Sequence, residues 1–213
     1  MNMREIYILL ILYETIKEIL NIKEILKALI RNRKIILFVS IMFLSFFIIS
    51  YILINSNMYF LQVGDEMFNE FKEYVKHSGI VEGGKYSAFE LITFIWGNNL
   101  KVCLIDYFSG IFSLLILLIN TYILSYVLYK YGLNKFIYLV LPHGIFEIPA
   151  LILSVSGGIL FNIMLFYLFR REFGKAYIYL KESLKILIFS IILFIIAGII
   201  EGTVTFKLAM SVG

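Results

Sequence analysis

The chain has 213 residues, of which 61% are hydrophobic and 16% charged, and its formal net charge is +4. A soluble domain is roughly 45–50% apolar, so this composition and a mean hydropathy of +0.92 exclude an ordinary soluble domain and indicate a polytopic membrane protein. The single cysteine, Cys103, excludes a disulfide framework within the chain.

The N-terminal region, residues 3–33, mixes apolar and charged positions at helical spacing without glycine or proline. We predict one amphipathic helix that lies on the membrane surface or on the bundle; a soluble helix packed on a partner is the alternative. Residues 35–54 carry no charge over about the 20 residues that a span requires. Three basic residues, Arg31, Arg33 and Lys34, precede this span and predict a cytoplasmic N-terminus. The predicted division is residues 1–34, a cytoplasmic helix, and residues 35–213, a membrane bundle.

The next region, residues 55–87, is the only long polar stretch, and its acidic excess predicts an external segment. Within it we expect a short amphipathic helix that ends before His77, and a turn at Gly83 and Gly84. Residues 89–108 and 111–129 are again apolar, with Ser109 and Gly110 between them. They predict a helical hairpin made of the second and third spans.

Residues 136–169 are too long for one upright helix, and they contain the only two prolines of the chain, Pro142 and Pro149. Because proline removes a backbone donor, we predict a short re-entrant or tilted half-helix, a kink at Pro149, and a span over residues 150–169. A basic cluster follows, and residues 186–206 form the last span. The predicted fold is an all-α bundle of about five transmembrane helices, with both basic clusters inside and the C-terminus outside.

Polar residues at membrane depth are costly and are read as functional by default. His143 and Glu147 are four residues apart, so they share one helix face, and Gly144 leaves room for a neighbouring backbone. We expect Glu147 to be neutral or paired with His143 or Lys101, and Asp106 to lie near the inner surface. The predicted polar core consists of Asn98, Asn99, Lys101, Asn120, His143, Glu147 and Glu201.

Small residues four apart mark the predicted helix contacts, because they let membrane helices approach closely. One set follows Pro149, and the other flanks Glu201. The residues are Ala150, Ser154, Gly158, Gly198 and Gly202.

Residues 142–150, Pro-His-Gly-Ile-Phe-Glu-Ile-Pro-Ala, resemble the signature of the stage II sporulation protein M family. Asn98 and Asn99 resemble its double-asparagine span, and Glu201 resembles the acidic residue of its last span. Gly110 and Asn120 resemble a following glycine and asparagine, although the family often has Asn-Gly where this chain has Asn120-Thr121. The resemblance covers residues 35–206.

The resemblance implies a multi-helix protein of the inner membrane. In spore-formers the named family member works with two partners in septal peptidoglycan remodelling and engulfment. Relatives also occur in organisms that make no spores, so a sporulation role does not follow for this chain.

Two functions are considered, and the resemblance favours the first, with the second as its alternative. The first is a membrane scaffold or assembly protein, a homodimer or a complex with other membrane proteins in the lipid bilayer. The second is a transporter or channel subunit with a proton or cation site at His143, Glu147 and Glu201. We expect no enzyme, metal or cofactor, since only one histidine lies at depth and HExxH and GxSxG are absent. Nucleic acid is not an expected partner, because the basic clusters flank spans.

Overall fold

A computed structural model describes residues 3–77 and 88–205. This part of the chain is all-helical and contains no strand. It includes a 3-10 turn, Gly110–Phe112, and a π-helical segment, Glu201–Thr205. The α-helices are α1 (Met3–Ile19), α2 (Ile22–Arg31), α3 (Arg33–Ser56), α4 (Met58–His77), α5 (Ala88–Ser109), α6 (Ser113–Phe169) and α7 (Phe173–Ile200).

Three helical stretches of the described chain are long and apolar enough to cross a membrane: Arg33–Ser56, Phe89–Phe169 and Phe173–Val204. The middle stretch contains α5, the 3-10 turn and α6. The prediction of an all-helical protein with membrane-compatible helices is therefore confirmed.

The N-terminal region forms two helices, so the prediction of one continuous helix over residues 3–33 is wrong. The chain turns at Leu20 and Asn21. The side chain of Asn21 accepts a hydrogen bond of 2.9 Å from the backbone N–H of Lys23, which caps α2. Asparagine is favoured at this position because its side chain replaces a missing backbone partner.

An ionic cluster fastens α1 to α7. Glu18 accepts hydrogen bonds from Lys181 Nζ at 2.8 Å and from Lys185 Nζ at 2.7 Å. These bonds lower the pKa of Glu18 to about 2. The side chain of Lys185 is 1% exposed, so Glu18 supplies the charge that compensates a buried ammonium group.

A second ionic contact fastens the end of α2 to the same helix. Arg31 donates two hydrogen bonds to the Glu182 carboxylate, at 3.0 and 2.6 Å. Asn32 Nδ2 donates a third, at 2.8 Å. A bidentate arginine–carboxylate pair also fixes orientation, so α1 and α2 lie against the bundle in a defined register.

The hairpin between α5 and α6 turns at Ser109 and Gly110, as the sequence predicted. Gly110 has a φ of +59°, which glycine adopts more readily than other residues because it has no Cβ, and a Cβ there would clash with the Asn162 side chain. Helix α4 begins at Met58, well before the predicted short helix, and ends at His77. The predicted turn at Gly83 and Gly84 lies outside the described residues.

Helix α6 is not interrupted at Pro142 or Pro149, and the predicted re-entrant half-helix is not observed. The one residue with non-helical backbone inside α6 is Gly132, with φ 74° and ψ 166°. Each proline costs one backbone hydrogen bond, whereas a break in an apolar environment would strand several unpaired groups. Continuing the helix is therefore less costly, and the turn falls at a glycine.

Small residues mark the helix contacts. Ser190 Oγ donates to the Ala150 carbonyl at 2.7 Å, and Ser154 Oγ donates to Asp106 at 2.8 Å. Gly158 lies directly against the backbone of α5. Buried residues from α3, α5, α6 and α7 form one hydrophobic core around these contacts: Val39, Phe43, Cys103, Tyr107, Leu117, Ala150, Leu151, Val155, Leu187 and Phe194.

The two glycines near the end of α7 pack on α5. A Cβ on Gly202 would stand 2.5 Å from the Ile92 side chain, and one on Gly198 would clash with the Trp96 ring. Trp96 Nε1 also donates to the Ile195 carbonyl at 2.9 Å. These contacts hold Glu201, which lies between the two glycines, against α5.

We expect Gly158→Ala to destabilise the protein. The new Cβ would lie 2.6 Å from the Asp106 carbonyl oxygen and 2.9 Å from that of Tyr107, and overpacking of this kind costs roughly 1–3 kcal/mol. Gly174→Ala is the matched control, since nothing lies within 4 Å of its Cβ position. Thermal unfolding in detergent measures both variants. Equal melting temperatures for the two would contradict the close α5–α6 contact.

We also expect Glu18→Gln to destabilise the packing of α1 on α7. Breaking a buried pair costs roughly 3–5 kcal/mol. Here roughly 1–3 kcal/mol is expected, since Glu18 is 37% exposed and Glu182 remains 3.7 Å from Lys185. Glu24→Gln, which removes an exposed pair with Lys27, should leave stability unchanged. Denaturant unfolding compares the two variants, and an effect of Glu24→Gln as large as that of Glu18→Gln would refute the role of the cluster.

Candidate functional site

The structure contains a cavity of about 630 Å³ between α5, both parts of α6 and the end of α7. Most of its wall is apolar and includes Phe43, Phe94 and Leu139. Pockets of this kind, apolar with a few convergent polar groups, are the usual place for a ligand. The polar residues that line it are Asn98, Asn99, Asn120, Tyr131, Lys135, His143, Glu147 and Glu201.

Three ionisable side chains converge in this cavity. His143 Nε2 lies 3.4 Å from Glu147 Oε2, as their spacing on α6 predicted. Glu201, at the end of α7, joins them, and one ligand atom from each of the three lies within 4.8 Å of the others. We call His143, Glu147 and Glu201 the polar triad.

The backbone changes from α to π geometry at Glu201. A π segment is rare and is frequently found at functional sites. The α5–α7 contacts at Gly198 and Gly202 fix this segment in place, so the backbone that presents Glu201 is held by packing on both sides.

The three asparagines of the predicted core also line the cavity. Asn99 is 6% exposed, and its Nδ2 atom has no hydrogen-bond partner within the described part of the chain. Asn120 Nδ2 donates to the Ile116 carbonyl at 2.9 Å. Asn99 therefore leaves a buried donor available in the cavity, whereas Asn120 uses one donor on its own helix.

Lys101 does not join this cavity. Its side chain is exposed, and it is not among the lining residues; Glu147 lies beside His143 instead. Gly144 is buried on the same turn, and a Cβ there would stand 3.3 Å from Val140. Of the two prolines, Pro142 is half-buried and Pro149 is exposed.

Asp106 forms a separate polar site. It is fully buried and accepts a hydrogen bond from Ser154 through Oδ2, while its Oδ1 has no partner among residues 3–77 and 88–205. It lies outside the cavity lining. Its role is to join α5 to α6 beside Gly158.

Helix α4 closes one wall of the cavity, a feature that sequence reasoning missed. Phe68 of α4 lines the cavity, with its ring centroid 6.1 Å from that of Tyr131. Asp65 accepts hydrogen bonds from Lys130 Nζ at 2.6 Å and from the Tyr126 hydroxyl. Both hydrogen bonds lower the pKa of the Asp65 carboxyl, and the bond from Lys130 has the larger effect. The pattern of acidic and aromatic residues in α4 is the sequence feature that could have indicated this wall.

The polar triad has a clear chemical capacity. Two carboxylates and one imidazole supply oxygen and nitrogen acceptors that converge on one point, and the wall around them is apolar. Charged groups in such surroundings need a proton, a metal ion or a counter-charge. The arrangement is therefore suited to holding a proton or a cation.

Comparison with known proteins gives three findings. A family model described as Stage II sporulation protein M matches residues 38–206. An uncharacterized protein of Methanocaldococcus jannaschii is 52% identical over 211 residues, which cover 97% of this chain and 98% of the relative. A second uncharacterized protein of that organism is 41% identical over 73 residues, 33% of this chain and 41% of the relative. No solved structure matches.

We expect the cavity to be accessible to water. In a Cys103→Ala background, Val140→Cys places a thiol in the lining, and Val155→Cys places one in the fully buried core. A charged, water-soluble thiol reagent should label the first variant at least about tenfold faster than the second. Only a thiol in contact with water ionises readily to the reactive thiolate and can be reached by the reagent. Mass spectrometry follows the labelling. Equal, slow labelling of both variants would show a sealed interior.

Proposed function

The chain belongs to the stage II sporulation protein M family, and from the geometry of its cavity we propose that it is a transporter or channel subunit. In this proposal it lies in the cell membrane and admits a proton or a metal cation to the polar triad. The cavity is proposed as a binding and transfer site, not as a catalytic one.

The proposed topology has five crossings: α3, α5, the parts of α6 before and after Gly132, and α7. It places the N-terminus in the cytoplasm and the cavity in the outer half of the membrane. The positive-inside rule supports this orientation. The basic residues at the start of α3 and between α6 and α7 then lie on one side: Arg31, Arg33, Lys34, Arg170, Arg171 and Lys175.

One observation carries the proposal: three ionisable side chains from two helices meet in a cavity of about 630 Å³ with a mostly apolar wall. An acidic residue at membrane depth costs about 2.5–3.5 kcal/mol on insertion scales. Helix packing alone does not require this cost, and a packed core would leave no cavity. Occupancy by a mobile cation gives the cluster and the empty volume one explanation.

Discontinuous helix geometry next to ionisable groups is a recurring feature of ion-coupled carriers. Here Glu201 itself begins a π segment, and Gly132 interrupts α6 about three helical turns before His143, so each of the two elements that carry the triad contains an irregular residue. Phe68 and Tyr131 line the same cavity. In the proposed topology they lie toward the outside, where a cation would enter.

A membrane scaffold is the second candidate, and a different observation supports it. Helix α1 is held on α7 through Glu18, yet its middle, residues 9–13, exposes large apolar side chains on every side of the helix. A second copy of the chain or another membrane protein could cover that surface, as could lipid. The exposed residues are Leu9, Leu10, Ile11, Leu12, Tyr13 and Ile16.

Flux through reconstituted vesicles tests the proposal. With an imposed gradient, the wild-type protein should carry protons or divalent cations, detected by dyes trapped in the vesicles. Glu147→Gln should reduce the rate at least about tenfold, because a neutral amide holds a proton or cation poorly. Glu90→Gln is the control, since Glu90 is exposed and lies outside the cavity.

Two results would contradict transport. One is a folded wild-type protein whose vesicles stay tight to both ions. The other is a partner or second copy that co-purifies equally with wild type and Glu147→Gln in the absence of any flux, which would favour the scaffold.

A further inference from the structure

We infer that His143, Glu147 and Glu201 form a binding site for a divalent first-row transition-metal ion such as Zn²⁺. The inference rests on the proposed function in one respect: it names the cation class of the same cavity. Metal binding can be measured without any flux, so the two claims can fail separately.

The geometry of the triad fits metal coordination. Ligand atoms about 2.1 Å from a tetrahedral Zn²⁺ lie about 3.4 Å from each other. His143 Nε2 and Glu147 Oε2 are separated by 3.4 Å. All three ligand atoms lie within 4.8 Å of one another, so a small rotation of a glutamate side chain would complete the set.

The ligand types determine the class of ion. Imidazole suits zinc, copper, iron and nickel, whereas magnesium and calcium prefer oxygen alone. The triad supplies three protein ligands, the number found in zinc sites that keep the fourth position open for water. An open position also allows the ion to leave, which a carrier requires.

Asn99 provides a second observation. It lines the same cavity, is 6% exposed, and has an unpartnered Nδ2 among the described residues. A buried donor without an acceptor costs roughly 1–3 kcal/mol. A metal-bound water or a ligating carboxylate oxygen can accept a hydrogen bond from such a donor. Hydrogen bonds of this kind hold metal ligands in place. A ligand group that brought an acceptor to the cavity wall at Asn99 would remove this cost.

The sequence predicted no metal, because only one histidine lies at membrane depth. The two α6 ligands are visible in the sequence as His-x-x-x-Glu, but the third ligand comes from the end of α7. The contacts of Gly198 and Gly202 with α5 place it there, and sequence spacing does not reveal that approach.

Titration of the purified full-length chain in detergent, stripped with EDTA, tests the inference. Isothermal calorimetry with ZnCl₂ should show one Zn²⁺ per chain, and MgCl₂ in excess should not compete. His143→Ala and Glu201→Gln should each weaken Zn²⁺ binding at least about tenfold, as loss of a ligand does. Glu90→Gln should bind as wild type does.

Cobalt serves as a probe that needs no variant. Co²⁺ bound to the wild-type protein should give the strong visible absorption of a four-coordinate site, and Zn²⁺ should abolish it. Bound Zn²⁺ should also raise the melting temperature, since it stabilises only the folded state. No saturable binding, or unchanged affinity in His143→Ala, would overturn the inference.

The outcomes separate the two claims. Proton flux without metal binding would overturn the metal site and keep the transporter. Metal binding without flux of either ion would keep the site and overturn the transporter.

Discussion

The structure depends on one constraint: in a chain this apolar, every backbone group must find a hydrogen-bond partner inside the protein. That requirement keeps α6 helical through two prolines and confines its one break to Gly132. It also directs polar side chains inward, because outside the bundle they would face lipid. Ser154, Ser183 and Ser190 make contacts between helices, while the polar triad faces a cavity.

The sequence predicted the features that follow from local rules. The chain turned at Gly110 because glycine adopts a positive φ at little cost, and His143 met Glu147 because residues four apart share a helix face. The apolar runs identified membrane-compatible helices by length alone. The small residues identified close contacts, at Ala150, Ser154 and Gly158, for the same steric reason.

The remaining features depend on contacts between distant segments. The meeting of Glu201 with Glu147 depends on how α7 packs on α5, which no spacing records. The exclusion of Lys101 from the cavity depends on the rotation of α5 about its axis. The break at Asn21 was not predicted, because apolar residues recur at helical spacing on both sides of it. The ion pairs of Glu18 depend on Lys185, which is more than 160 residues away in the sequence. The prediction of a helix break at the two prolines was wrong. It counted the backbone hydrogen bond that each proline removes, but not the larger cost of the several backbone groups that a break would leave unpaired.

The packing of Trp96 has a practical consequence. It is the only tryptophan of the chain. Its indole donates to the Ile195 carbonyl, and its ring lies against Gly198. Asn99 lies one helical turn from Trp96, and Glu201 lies one helical turn from Gly198. Tryptophan emission, selected by exciting at wavelengths that tyrosine does not absorb, therefore comes from this one residue on α5. The molecule has an intrinsic optical reporter, and events in its interior can be followed in vesicles that contain only this protein, without attaching a dye.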